Sequence, residues 1–225
     1  MSDDLLAAAD RIKGLIVPLL QGQSAAELGR VLVYVQSVPR SLDASRAALR
    51  ALEEEGGEDT DPGRDEQERR RRRAAIEQAC RRGVQNSLSF ARRNLDSARM
   101  QALEALVYRP RLASKADLER RALALQKSLD RMEDPAPAMI EHYAGSSDPL
   151  NKYLLAGPWG HEYLQRRKID TEEYDTALCR LLGWQEKEGG GVVMSYAPLN
   201  RAIDELEAVA QCTLDPAPGP DGSKR

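Results

Sequence analysis

From about Glu66 to Tyr108, apolar side chains recur every three or four positions: Ile76, Cys80, Val84, Leu88, Ala91, Leu95, Ala98, Ala102 and Leu106. That is the period of an α-helix with one buried face. At about 1.5 Å per residue the segment would span some 60 Å. A helix that long packs against several others or pairs as a coiled coil, and Pro110 is placed to end it. Composition points the same way. Aromatic residues make up 4% of the chain and Phe90 is its sole phenylalanine, so the core must be built from Leu, Ala, Val and Ile. Such cores suit helix-on-helix packing better than sheets. The expected fold is all-α: a multi-helix bundle built on one long central helix, with a C-terminal lobe of shorter helices.

The flanking segments read as helices too. Leu5, Ala9, Ile12 and Ile16 predict one over 3–20. Ser24 with Glu27 forms a capping box that opens a second, expected to stop at Pro39. A third begins at Ser41 and ends at Gly56 and Gly57. The polar stretch 56–65 reads as a hinge loop. A fifth helix starts at Ser114 and carries Leu118, Ala122, Leu125 and Leu129 inward. Four short helices are expected near 138–144, 149–156, 160–168 and 171–186. Gly189–Gly191 with the following VVMSY suggest a small extended element, and Pro198 an N1 proline opening a last helix over 198–212. The implied organisation is a bundle over 1–133 holding the long basic helix (about 66–109), a C-terminal lobe over 134–212, and a disordered tail over 213–225.

Charge is distributed unevenly along this plan. Residues 1–68 carry 7 basic and 14 acidic side chains, residues 69–131 carry 17 and 6, and residues 132–225 carry 9 and 16. A formal charge of −3 therefore hides a middle third at +11 between two flanks at −7. On a helix with about 100° per residue, Arg70, Arg81, Arg92 and Arg99 fall within about 40° of one another and border the apolar stripe. Arg71, Arg82 and Arg93 form a second row roughly 100° further round, and Phe90 lies on that outer side. Two rows of guanidinium on one rod would suit a phosphate backbone. Competing readings are a merely solvated face, intrahelical pairing of Arg69, Arg70 and Arg72 with Asp65, Glu66 and Glu68, and neutralisation by the acidic flanks.

The segment RRGVQNSLSF, residues 81–90, resembles the Gly-Leu-x-x-x-Leu-x-Phe helical stretch of the small all-α subunits of CRISPR RNA-guided effector complexes. Val84 stands where the leucine would be, and the resemblance covers these ten residues. It implies a basic helix lining a nucleic-acid groove.

Other chemistry is thinly represented. Cys80, Cys179 and Cys212 are widely spaced and odd in number, which makes neither a disulfide framework nor a zinc knuckle. Gly189–Gly191 lack a following Lys-Ser/Thr, so no P-loop is present. His142 and His161 are the only histidines. His161 with Cys179 or Asp175 would make a nucleophile and base, and an enzyme site near His161, Trp159 and Tyr163 is conceivable, yet scattered histidines are usually surface groups or satisfied core groups. Residues 160–196 read as helix-turn-helix with a wing, although Glu172, Glu173 and Asp175 would face phosphates. The acidic N-terminus is no signal peptide, and no apolar run reaches the ~18 residues of a membrane span, so a cytoplasmic protein without a membrane partner is expected.

The leading expectation is a non-enzymatic helical subunit or adaptor of a larger assembly, needing no cofactor or metal. It would bind RNA or DNA through Arg70, Arg81, Arg82, Arg92, Arg93 and Arg99, with Phe90 stacking or wedging. The alternatives are a protein–protein scaffold or homo-oligomer without a nucleic-acid role, and a winged-helix-like DNA-binding regulator using 160–196.

Overall fold

A computed structural model describes residues 3–54, 62–107, 110 and 114–214, and the backbone but not the side chains of 62–65. Among these residues the fold is all-α. Nine α-helices follow one another: α1 (Asp3–Ile16), α2 (Ala25–Glu54), α3 (Pro62–Leu106), α4 (Lys115–Leu129), α5 (Ala136–Gly145), α6 (Pro149–Ala156), α7 (Pro158–Arg166), α8 (Glu172–Leu182) and α9 (Gly190–Leu214). Short 3-10 turns cover Val17–Leu19 and Trp184–Glu186.

The chain divides into two compact units, and the division cuts across the long helices. The first unit comprises residues 1–17, 29–94 and 200–225, and the second residues 18–28 and 95–199. Within the first unit α3 packs against α2 and α9. Its core holds Leu5, Ile12 and Ile16 of α1, Val31, Val35 and Val38 of α2, Val84, Leu88 and Ala91 of α3, and Ile203 and Leu206 of α9. The second unit buries Leu95, Leu103, Met139, Leu155, Leu164, Leu178, Val193 and Leu199. The apolar stripe of α3 thus serves two cores in succession.

Two prolines do not do what their local chemistry suggests. Pro39 sits inside α2, which continues to Glu54 instead of stopping. Pro198 sits inside α9, which starts at Gly190 and not at residue 198. A helix-interior proline forfeits a backbone hydrogen bond and crowds the preceding turn. Here the flanking residues are core: Val35, Val38 and Leu42 around the first, and Val193, Leu199 and Ile203 around the second. Their burial outweighs the local penalty, as tertiary packing commonly outweighs propensity.

The expected extended element over 189–196 is helical from Gly190 onward, and a winged-helix reading of 160–196 loses its wing. Its glycines have steric reasons. Gly189 has φ +88°, and a Cβ at Gly190 would lie 1.8 Å from the Trp184 carbonyl oxygen. Only glycine lets the chain turn and enter α9 this close to another backbone. The long helix starts at Pro62, earlier than expected. Residues 56–61 of the expected hinge, and 215–225 of the expected tail, lie outside the described residues.

Candidate nucleic-acid interface

The inner arginine row is occupied by the protein itself. At the start of α3, Arg70 bonds Glu66 at 3.0 Å, Arg72 bonds Glu68 at 2.8 Å and Arg73 bonds Glu77 at 3.1 Å. These are i to i+4 pairs, the intrahelical neutralisation the spacing allows. Arg81 donates to the Leu214 carbonyl at 3.4 Å. Arg92 reaches Asp204 at 2.7 Å and Glu207 at 2.6 Å, both on α9. Burial works against the charge of Arg92, but its hydrogen bonds to Glu207 and Asp204 and their negative charges outweigh it and hold its pKa above the ordinary value. This row borders the apolar stripe, so whatever helix packs on the stripe brings its carboxylates within reach.

Arg99 is the sharpest correction. It was expected on a phosphate-facing row, and it is fully buried in the second unit. Its Nη2 bonds Asp175 Oδ2 at 2.5 Å and Thr171 Oγ1 at 2.7 Å. The guanidinium lies 4.0 Å from the centroid of the Tyr196 ring, and its Nε and Nη1 have no hydrogen-bond partner. No external phosphate can reach it in this fold. Asp175 also lies 2.7 Å from His161 Nε2, while His161 Nδ1 is 2.9 Å from the Gly157 carbonyl oxygen. A carbonyl can only accept, so Nδ1 carries hydrogen and donates to it. The contact to Asp175 then requires one more proton, on Nε2 or on the carboxyl.

This buried network has the members of the nucleophile-and-base arrangement that the sequence allowed. Cys179 is buried, and burial first, then the negative charge of Asp175, push its thiol up to about 11 against a weaker opposite pull from Arg99. A thiol held protonated at neutral pH is a poor nucleophile. Tyr174 packs edge-on to His161 and donates to the Leu155 carbonyl, and burial raises its pKa as well. Among the described residues no cluster of His, Cys, Asp and Glu could hold a metal ion, and no helix is long and apolar enough to cross a membrane.

The outer row remains. Arg71, Arg82 and Arg93 are exposed, and none has a carboxylate partner among the described residues. At about 1.5 Å per residue, Arg82 and Arg93 stand about 16 Å apart along the axis. Between them α3 exposes Gln85, Asn86, Ser89 and Phe90, and from Gln78 to Leu95 the sequence holds no acid at all. Phe90 is 42% exposed. It stacks on Tyr34 of α2 with centroids 5.2 Å apart and planes 24° apart, and the Arg93 guanidinium lies 5.7 Å from its ring centroid. Tyr34 was not anticipated. Its signal was present, since it lies off the apolar stripe of α2, but the cross-helix pairing with Phe90 could not be read from one segment.

Of the seven residues expected to meet a polyanion, the fold brings Arg82, Phe90 and Arg93 together on one exposed face. It sets Arg70, Arg81 and Arg92 into internal contacts and encloses Arg99. No family model matches the chain, and neither the curated proteins nor the solved structures provide a match.

Proposed function

We propose that this protein is a non-enzymatic helical subunit or adaptor that binds nucleic acid along the outer face of α3 in its first unit. Arg71, Arg82 and Arg93 contact phosphates, and Phe90, backed by Tyr34, supplies a flat apolar surface for sugar or base. The observation that carries this reading is the exposed row Arg71, Arg82 and Arg93 without carboxylate partners among the described residues, of which Arg82 and Arg93 lie on a stretch free of acid from Gln78 to Leu95. A merely solvated face in a chain of net charge −3 would be expected to intersperse both signs, as the start of α3 does. Leaving guanidinium groups unpaired beside polar amides favours an external anion, and the planar guanidinium fork suits phosphate. The half-exposed position of the only phenylalanine supports a contact surface, because that ring has no polar atom to satisfy in water.

The test is a salt titration of binding to mixed-sequence RNA and DNA oligonucleotides. Binding should weaken log-linearly with salt, by about 0.7–0.9 in slope for each phosphate contact. Arg82→Glu/Arg93→Glu should bind at least tenfold more weakly with an unchanged helical spectrum. Binding that does not respond to salt, or a double variant that binds like the wild type, would refute the proposal.

A further inference from the structure

The second unit holds a cleft of about 430 Å³ that the proposed nucleic-acid face does not use. It lies where the end of α3, the α5–α6 connection, α6 and the turn after α8 converge. That volume falls in the range of small-molecule sites, which are characteristically apolar and aromatic with a few polar groups. Three of its lining residues are aromatic: Tyr143, Tyr153 and Trp184. In a chain with 4% aromatic residues this is a marked concentration. The remaining wall is mostly aliphatic, and its polar lining consists of Ser147, Lys152 and Lys187.

The charge in the cleft has one sign. Among the described residues no carboxylate lines it. Lys187 is exposed and has no ion-pair partner among the described residues, and the Lys152 ammonium lies 5.3 Å from the Tyr143 ring centroid without a carboxylate. Burial raises the pKa of Tyr143, so its phenol stays a neutral donor at the rim. Two ammonium groups in a cleft with aromatic and hydroxyl-bearing lining complement a ligand with a flat ring at one end and a negative group at the other.

We infer that this cleft is a binding site for an anionic, ring-bearing small molecule of mononucleotide size, with the ring against Tyr143 and Tyr153 and the anion at Lys152 and Lys187. The site lies wholly in the second unit and stands independently of the arginine row.

The probe is adenosine monophosphate, with adenosine and inorganic phosphate as its two halves. It is titrated into the full chain by calorimetry and by quenching of tryptophan fluorescence, to which Trp184 contributes. The monophosphate should bind saturably and at least tenfold more tightly than either half. Lys152→Ala and Lys187→Ala should each weaken it three- to tenfold, and Ser147→Trp, at an exposed rim position, should abolish binding. All three positions are away from the core, and an unchanged circular dichroism spectrum verifies the fold. Absence of saturable binding of the monophosphate overturns the inference. So does adenosine binding as tightly as the monophosphate, inorganic phosphate doing so, or lysine variants that bind like the wild type.

Discussion

Arg93 and Arg99 stand six residues apart on the same helix and meet opposite fates. Arg93, in the first unit, is exposed and has only a ring beneath it. Arg99, in the second, is fully buried and bonded to Asp175 and Thr171. Six residues turn a helix by about 240°, which moves a side chain from the solvent face to the packed face. Arginine enrichment in a segment therefore says little about how many guanidinium groups a ligand can meet. Angle relative to the apolar stripe, and what packs on that stripe, decide it. The buried group is committed to partners inside its unit, whereas the exposed one has no carboxylate partner among the described residues.

The comparison fails most visibly if the buried group is expendable. Asp175 is the shared hydrogen-bond partner of Arg99, Thr171 and His161. Asp175→Ala strands a buried guanidinium, and removing one partner of a buried pair costs about 3–5 kcal/mol. Both tryptophans, Trp159 and Trp184, belong to the second unit, so their fluorescence in a urea titration reports on that unit. Alanine at Arg93 should shift stability by no more than about 0.5 kcal/mol. Equal midpoints for the two variants would show that the buried network is not a keystone.

Alkaline pH probes the same network without a substitution. The folded-state pKa values of Cys179 and Tyr174 are raised above their ordinary values, Cys179 to about 11. A group raised on folding contributes stability that is complete below its unfolded pKa and is lost as pH climbs through the folded one. The tryptophan-monitored midpoint should therefore fall from about pH 9 upward. Cys179→Ala should remove part of that fall while leaving the response of the first unit unchanged. A midpoint flat to pH 11 contradicts this.

The sequence carried the fold further than it carried the site. The stripe from Cys80 to Ala102 is buried as its period demands, and α6 matches its expected span of 149–156 because Asp148, the N-cap, and Pro149 at N1 fix its start locally. Pro39, Pro198 and Gly189–Gly191 were misread because their local preferences compete with core contacts from distant parts of the chain. At the site, helical angle distinguished two arginine rows. It could not reveal which row another helix would cover. Arg92 is taken by Asp204 and Glu207, more than a hundred positions away, and Arg99 by a carboxylate on α8. Nor could it pair Phe90 with Tyr34 across two helices.

Arg92 sharpens the comparison from the middle ground. It is 32% exposed and grips two carboxylates. Exposed or half-exposed pairs contribute about 0.2–1 kcal/mol and are screened by salt. Arg92→Ala should cost about 1 kcal/mol at low ionic strength and less in 0.5 M salt, measured by helical ellipticity in urea. A cost near that of Asp175→Ala would place Arg92 with the buried group instead.

The smallest stability effect belongs to the residue with the largest proposed role in binding. Arg82 is exposed, without a carboxylate partner among the described residues, and central to the acid-free stretch. Arg82→Ala should leave the urea midpoint within about 0.5 kcal/mol of wild type while flattening the salt dependence of nucleic-acid affinity by about one phosphate contact, 0.7–0.9 in slope. Arg92→Ala, on the same helix and with the same change of charge, should leave that slope nearly untouched because its guanidinium is already committed to Asp204 and Glu207. The two variants differ in the partners available to the side chain and hardly at all in net charge. A slope that drops equally in both would mean that affinity follows the total charge of the helix, and the distinction between the rows would then have no bearing on binding.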